Sequence, residues 1–289
     1  VTGAAPGPPP GAAVRFDWGL AGTLAASESG GAIVIVDVLS FSTAVTIATG
    51  RGAVIYPHRW PAPADSIEAF AAARHAAWAV PRHQTSASHP WSLSPAGLLG
   101  APLPDRLVLP SPNGSGLAAA ATGSVTAGRV TAGRVTAGRV TAGRVTAGRV
   151  TAGRVIAGCL RNATAVARWL EWRGYGTPDQ PVTVIAAGEH WPSGELRPAL
   201  EDFLGAGAII AALPANSIRS PEAASAEAAW HSCHHQVREF LHGCFSGLEL
   251  AADGYAADIA LAAEHDAQDA VPLLTDTAFQ DDTSHPERA

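Results

Sequence analysis

Ala32-Ile33-Val34-Ile35-Val36-Asp37-Val38-Leu39-Ser40-Phe41-Ser42-Thr43 is the stretch whose reading decides the fold. Its first five residues are an unbroken apolar run, four of them β-branched. A strand with one wet face alternates apolar and polar residues. A continuous run instead suits a strand covered on both faces, as in a parallel sheet. The run meets Asp37, passes a hydroxyl-rich turn and enters a helical segment, Ala44 to Thr49, with Gly50 as its stop.

Outward from there the same grammar repeats. Ala53 to Tyr56 reads as a second strand, and Ser66 to Val80 as an Ala-rich helix with Ser66 as N-cap. Leu107 to Leu109 is a strand stub that runs into Ser111-Pro112-Asn113-Gly114-Ser115-Gly116 and then a helix, Leu117 to Ala121. Val155 to Cys159 is a strand, and Arg161-Asn162-Ala163 opens a helix that continues through Leu170. Val182 to Ala186 is one more buried strand, ending at Gly188-Glu189-His190. Leu200 to Leu213, Ala223 to Leu241 and Asp253 to His265 read as helices. Strands alternating with helices predict an α/β fold: a mostly parallel mixed sheet with helices on both faces.

The 289 residues are 47% hydrophobic and 15% charged, a composition that builds a core and excludes a disordered chain. No apolar run approaches the roughly 18–20 residues of a membrane span, so no membrane partner is expected. Residues 1–14 and 281–289 read as flexible tails around a single domain, 15–280. Val1 to Ala13 has no basic start and no apolar core, so the expected compartment is the cytoplasm. Cys159, Cys233 and Cys244 fit neither a disulfide framework nor a zinc template and read as free thiols. His231, His234 and His235 likewise fit no standard metal spacing. Trp169 and Trp172 are spaced for packing on one helix face.

Val-Thr-Ala-Gly-Arg repeats six times from Val125 to Arg154. A period of five keeps no constant face on a helix, and on a strand it flips each residue type at every copy. The reading is an exposed insertion, 125–154, slipped into a tolerant loop. The rival reading makes it a basic arm for a polyanion, because it holds six of the 19 positive charges. It lacks aromatic residues for stacking on bases, so nucleic acid is not an expected partner.

In α/β sheets, ligands bind past the carboxyl ends of the strands. Asp37, Ser40, Ser42, Thr43, Ser111, Asn113, Gly114, Ser115, Arg161, Asn162 and Glu189 all fall there, with Glu201 and Asp202 close behind. Carboxylates without cysteine partners suit a hard cation such as Mg²⁺. Hydroxyls and helix N-terminal amides suit phosphate, and an arginine adds a bidentate anion donor. Singly each has a plainer reading. Ser42 or Thr43 can be an ordinary N-cap, Asn113-Gly114 a turn, Arg161 a cap or ion-pair partner, and His190 a loop residue.

Together, Asp37 to Thr43, Ser111 to Ser115, Leu160 to Ala163, Ala187 to Glu189 and Leu200 to Ala208 resemble, in order, the 2-phosphosulpholactate phosphatase family. Pro221 to Ala223, Ser246-Gly247 and Asp258 extend the likeness. The resemblance implies Mg²⁺-dependent hydrolysis of phosphosulpholactate to sulpholactate and phosphate. It also implies a metal site at Asp37, Glu189, Glu201 and Asp202 and a phosphate site at Ser111, Asn113, Gly114 and Ser115.

The working expectation is Mg²⁺ on Asp37, Glu189 and Asp202, with Glu201 as ligand or base and His190 as general acid. Phosphate would rest on the Ser40–Thr43 and Ser111–Ser115 turns, and Arg161 or Arg197 would grip the second anionic group of a small phosphorylated acid. A non-catalytic anion-binding protein on the same scaffold is the alternative, and a homodimer stays open.

Overall fold

The computed structural model describes residues 11–122 and 154–283. All of the expected repeat insertion except Arg154 therefore lies outside the described residues. In chain order the first half contains β1 (Val14–Trp18), α1 (Gly19–Ser29), β2 (Ala32–Val36), α2 (Phe41–Gly50), β3 (Val54–Arg59), α3 (Ala64–Ala72), β4 (Ala77–Trp78), α4 (Pro95–Gly100), β5 (Arg106–Ser111) and α5 (Gly114–Ala121). The second half contains β6 (Arg154–Gly158), α6 (Ala163–Trp172), β7 (Val182–Ala186), β8 (Glu189–His190), β9 (Leu196–Arg197), α7 (Leu200–Ala212), α8 (Pro221–Cys233), α9 (Val237–Gly243), α10 (Phe245–Ala252), α11 (Ala256–Ala262), β10 (Pro272–Thr275) and β11 (Ala278–Asp281).

The fold is α/β. One nine-stranded sheet has the order β1-β7-β2-β6-β10-β11-β3-β5-β4, and β8 and β9 form a separate small hairpin. The β1, β7, β2 and β6 neighbours are parallel, as are β3, β5 and β4. Antiparallel β10 and β11 join the two blocks. Every residue of β2 is buried, as its unbroken apolar run requires. Val34 and Val36 face a core with Ile209, Leu204 and Trp169, while Ile33 and Ile35 face one with Phe41, Ile47 and Leu107. α5, which follows β5 of the second block, packs against β2 of the first.

Several sequence expectations need correction. Ala12 and Ala13 are buried and Val14 pairs with Val182, so the N-terminal part of the domain begins before residue 15. Asp281 belongs to β11 rather than to a tail. The helix expected over Ser66 to Val80 starts at Ala64 and stops at Ala72: His75 takes a positive φ of 51°, and Ala77-Trp78 pairs with β5 instead. The helix expected over Ala223 to Leu241 is interrupted by a 3-10 turn at His234–Gln236. The one expected over Asp253 to His265 is shorter, running from Ala256 to Ala262, because Gly254 at φ 89° delays its start after α10. Among the described residues no helix is long and apolar enough to cross a membrane.

Candidate active site

β2 delivers Asp37 to the edge of the sheet, where two helices begin. Asp37 Oδ1 accepts the Phe41 N–H at 3.0 Å, at the start of α2. Its Oδ2 accepts the Gly114 N–H at 2.9 Å, at the start of α5. One carboxylate thus closes two helix N-termini, where unpaired amides and the helix dipoles favour negative charge. Asp202, in the first turn of α7, does a parallel job. It accepts from Val38 N–H at 2.7 Å and Gly188 N–H at 2.8 Å, tying the exit of β2 to that of β7.

Glu189 follows β7 and is held by Asn113, whose Nδ2 donates to Glu189 Oε2 at 2.9 Å. Asn113 Oδ1 must then be the acceptor toward His190 Nδ1, 3.1 Å away, which fixes that ring hydrogen on Nδ1. His190 itself is exposed. Asp37, Ser40, Ser111, Asn113 and Glu189 line one cavity of about 710 Å³, within the range of small-molecule sites.

Other expected site residues are placed differently. Ser42 Oγ donates to Ile35 O at 2.9 Å, Thr43 Oγ1 to Val38 O at 2.8 Å and Ser115 Oγ to Ser111 O at 2.6 Å. These three hydroxyls face into their own turns and fix their shape, because a buried hydroxyl needs a partner and the nearest backbone carbonyl supplies it. The Gly114 amide, expected on phosphate, is committed to Asp37. Arg161 turns away from the cavity, donating to Gln268 and Leu261 O and pairing with Glu264. Asn162 bonds the Cys159 N–H and the Ala270 carbonyl. Both tie the exit of β6 to the C-terminal segment. Arg197 pairs with Glu249 at 3.0 Å beside the rings of Trp191 and Phe245.

Sequence reasoning missed Arg82. It lines the same cavity, from a 3-10 turn at Arg82–Gln84, and its Nη2 donates to Ser40 Oγ at 2.8 Å. No local motif announces it, because it follows a segment that reads as helix. Tyr255, also on the wall, was missed because it lies within a stretch that reads as ordinary helix, and Asp258 drew notice only through the family likeness.

Burial and mutual repulsion dominate the electrostatics. Burial pushes the Asp37 carboxyl up to about 6, with Glu201 adding to the rise; the Phe41 and Gly114 amides and Arg82 oppose it. Burial raises Glu189 to about 7, followed by the charges of Asp37 and Glu201. Asp202 is held well above the ordinary carboxylate range, first by burial and then by Asp37 and Glu201. Each acid therefore makes its neighbours harder to ionise, and the set is short of positive charge.

In charge and donor type this cluster fits a hard divalent cation. Among the described residues, however, no three His, Cys, Asp or Glu side chains converge as a ligand group. Asp202 and Glu201 lie off the cavity wall, whereas Asp37 and Glu189 lie on it. That pattern corrects the expected triad at Asp202, which braces the loops instead. It remains compatible with Mg²⁺, which is usually held by one or two carboxylates with water and substrate phosphate completing the shell.

The family model described as 2-phosphosulpholactate phosphatase matches residues 125–277, just over half of the chain. No curated protein matches the chain.

Proposed function

Since this chain belongs to the 2-phosphosulpholactate phosphatase family, we propose that it hydrolyses, with Mg²⁺, the phosphate monoester of a small acidic hydroxy acid, 2-phosphosulpholactate being the substrate that the family name indicates. Water attacks phosphorus, the ester P–O bond breaks, and the hydroxy acid leaves with a proton on its oxygen. The observation that carries this reading is the pairing of Asp37 and Glu189 on the wall of one cavity that Ser40, Ser111 and Asn113 also line.

Asp37 and Glu189 would hold the cation, whose chemistry there would be to polarise phosphate oxygens and lower the pKa of a water. Asn113 keeps Glu189 in place. The hydroxyls of Ser40 and Ser111 face the phosphate. Glu201 is buried and its charge acts on Asp37 and Glu189, which would strengthen cation binding. His190 keeps its Nδ1 hydrogen on Asn113, and in the imidazolium form its outward Nε2–H supplies the proton to the departing oxygen, leaving the neutral ring. Free thiols at Cys159, Cys233 and Cys244 support a cytoplasmic setting.

The test is a phosphate-release screen over phosphorylated hydroxy acids, with and without Mg²⁺. Release that stops in chelator and returns with Mg²⁺ is expected. Absence of any metal-dependent release across the panel would refute the proposal.

A further inference from the structure

Arg82 is framed far more closely than a surface charge needs to be. Its Nε donates to Asp258 Oδ2 at 3.3 Å, and Nη2 donates to Ser40 Oγ at 2.8 Å and to Leu93 O at 3.1 Å. The Tyr255 ring lies 5.1 Å from the guanidinium carbon, a cation–π distance. Asp258 is 1% exposed, and its other oxygen accepts from Ser94 Oγ at 2.6 Å and Ala96 N–H at 3.0 Å. A buried acid on α11 thus fixes the start of α4 and the arginine in one arrangement. Among the described residues no hydrogen-bond partner is found for Arg82 Nη1.

The other arginines considered for the substrate are paired with carboxylates: Arg161 with Glu264, away from the cavity, and Arg197 with Glu249, which itself lines the cavity. Among the described residues, Arg82 is the arginine on the cavity wall. A guanidinium is always charged and planar; with Nε and Nη2 bonded to Asp258, Ser40 and Leu93, the remaining Nη1 side of its fork is the donor for an oxyanion. Holding that plane by Asp258 on one edge and Ser40 on another fixes it before any ligand arrives, so less freedom is lost on binding.

We propose that Arg82 binds the non-reacting oxyanion of the substrate, a carboxylate or sulfonate, and that Asp258 is the positioning residue that aims it. The proposal rests on the phosphatase reading above and adds the residue that makes the enzyme select acidic esters. Phosphate would sit over Asp37 and Glu189, and the hydroxy acid would place its second anionic group beside it, against Arg82, whose Nη2 bonds Ser40.

The experiment compares wild type, Arg82→Gln, Arg82→Lys and Asp258→Asn in the full chain, with phosphoglycolate and the uncharged ester ethyl phosphate. Arg82→Gln is expected to lower the preference in kcat/KM for phosphoglycolate over ethyl phosphate by about 10- to 100-fold, mostly through KM. Arg82→Lys, which keeps charge but loses the fork, should fall between. Asp258→Asn should raise the phosphoglycolate KM with little change in kcat. A merely structural role would lower kcat on both esters together with Tm. Equal losses on both esters for Arg82→Gln, or no change in preference, would overturn the proposal.

Calorimetric binding of glycolate and of inorganic phosphate separates this from the parent reading. Should wild type hydrolyse neither ester, a glycolate affinity weakened at least tenfold by Arg82→Gln would still support the oxyanion role. An unchanged glycolate affinity would overturn it.

Discussion

Gly114 serves fold and site through one missing atom. A Cβ there would lie 2.3 Å from Phe41 Cδ1 and 2.9 Å from Asp37 Oδ2. Gly114→Ala must push α5 from α2 and break the amide contact to Asp37. The expected result is a loss of about 1–3 kcal/mol in denaturant unfolding, as for overpacking, with phosphate release falling in parallel. Asp37 and Glu189 give a pH signature of their own. Their folded values, about 6 and about 7, exceed the ordinary 3.8 and 4.5. The folded chain therefore holds these protons to higher pH than the unfolded chain does. Stability from this source is full below about pH 4 and is lost as pH rises through 6 to 7. In chelator, Tm should decline across that window, and Asp37→Asn should flatten the decline. A Tm that rises between about pH 5 and pH 7 in chelator, with no difference in Asp37→Asn, would contradict this electrostatic account.

α7 shows how an element can place chemistry by packing. Its first turn brings Asp202 to the exits of β2 and β7, and it can do so because glycines let it approach its neighbours. A Cβ at Gly207 would lie 2.2 Å from the Ala226 carbonyl oxygen of α8, whereas at Gly205 it would meet the side chains of Val38 and Val36. Backbone cannot repack as side chains can, so Gly207→Ala should destabilise more than Gly205→Ala, by about 1 kcal/mol or more, as read from unfolding midpoints. Elements of this kind were unequally legible in the sequence. β2 was plain because burial on both faces leaves a continuous apolar run. β10 and β11 were not, because each has only four residues and their place in the sheet, Leu274 beside Val155 and Phe279 beside Ile55, is set by distant chain. The carboxylates at strand exits could be read from position alone. Arg82 and Arg161 could not be sorted, since what separates a cavity arginine from a structural one is a partner about 100 or more residues away, Asp258 for one and Glu264 for the other. The turn hydroxyls of Ser42, Thr43 and Ser115 likewise carry no sequence mark for facing inward.

At the scale of the molecule, Asp37 and the described residues that flank 123–153, Arg154 and the end of α5, lie toward opposite ends of β2. Asp37 follows β2 at its C-terminal end. Arg154 begins β6 opposite Ala32, at the other end of β2. The C-terminal end of α5 lies there too, with Ala121 O within 3.5 Å of Ser27 Oγ, near the close of α1. We propose that residues 125–153 are dispensable for the reaction, and that deleting them leaves kcat/KM within about twofold and Tm within about 4 °C, a shift that corresponds to roughly 1–2 kcal/mol in a chain this size. Loss of activity in a deletion variant that still folds would give the repeat a catalytic role. The central claim, that Asp37 joins a cation to the substrate phosphate, meets its most direct test in steady-state phosphate release by Asp37→Asn at saturating Mg²⁺. The account predicts a fall of at least about 100-fold, on the order of 3 kcal/mol of transition-state stabilisation. Turnover close to that of wild type would contradict it.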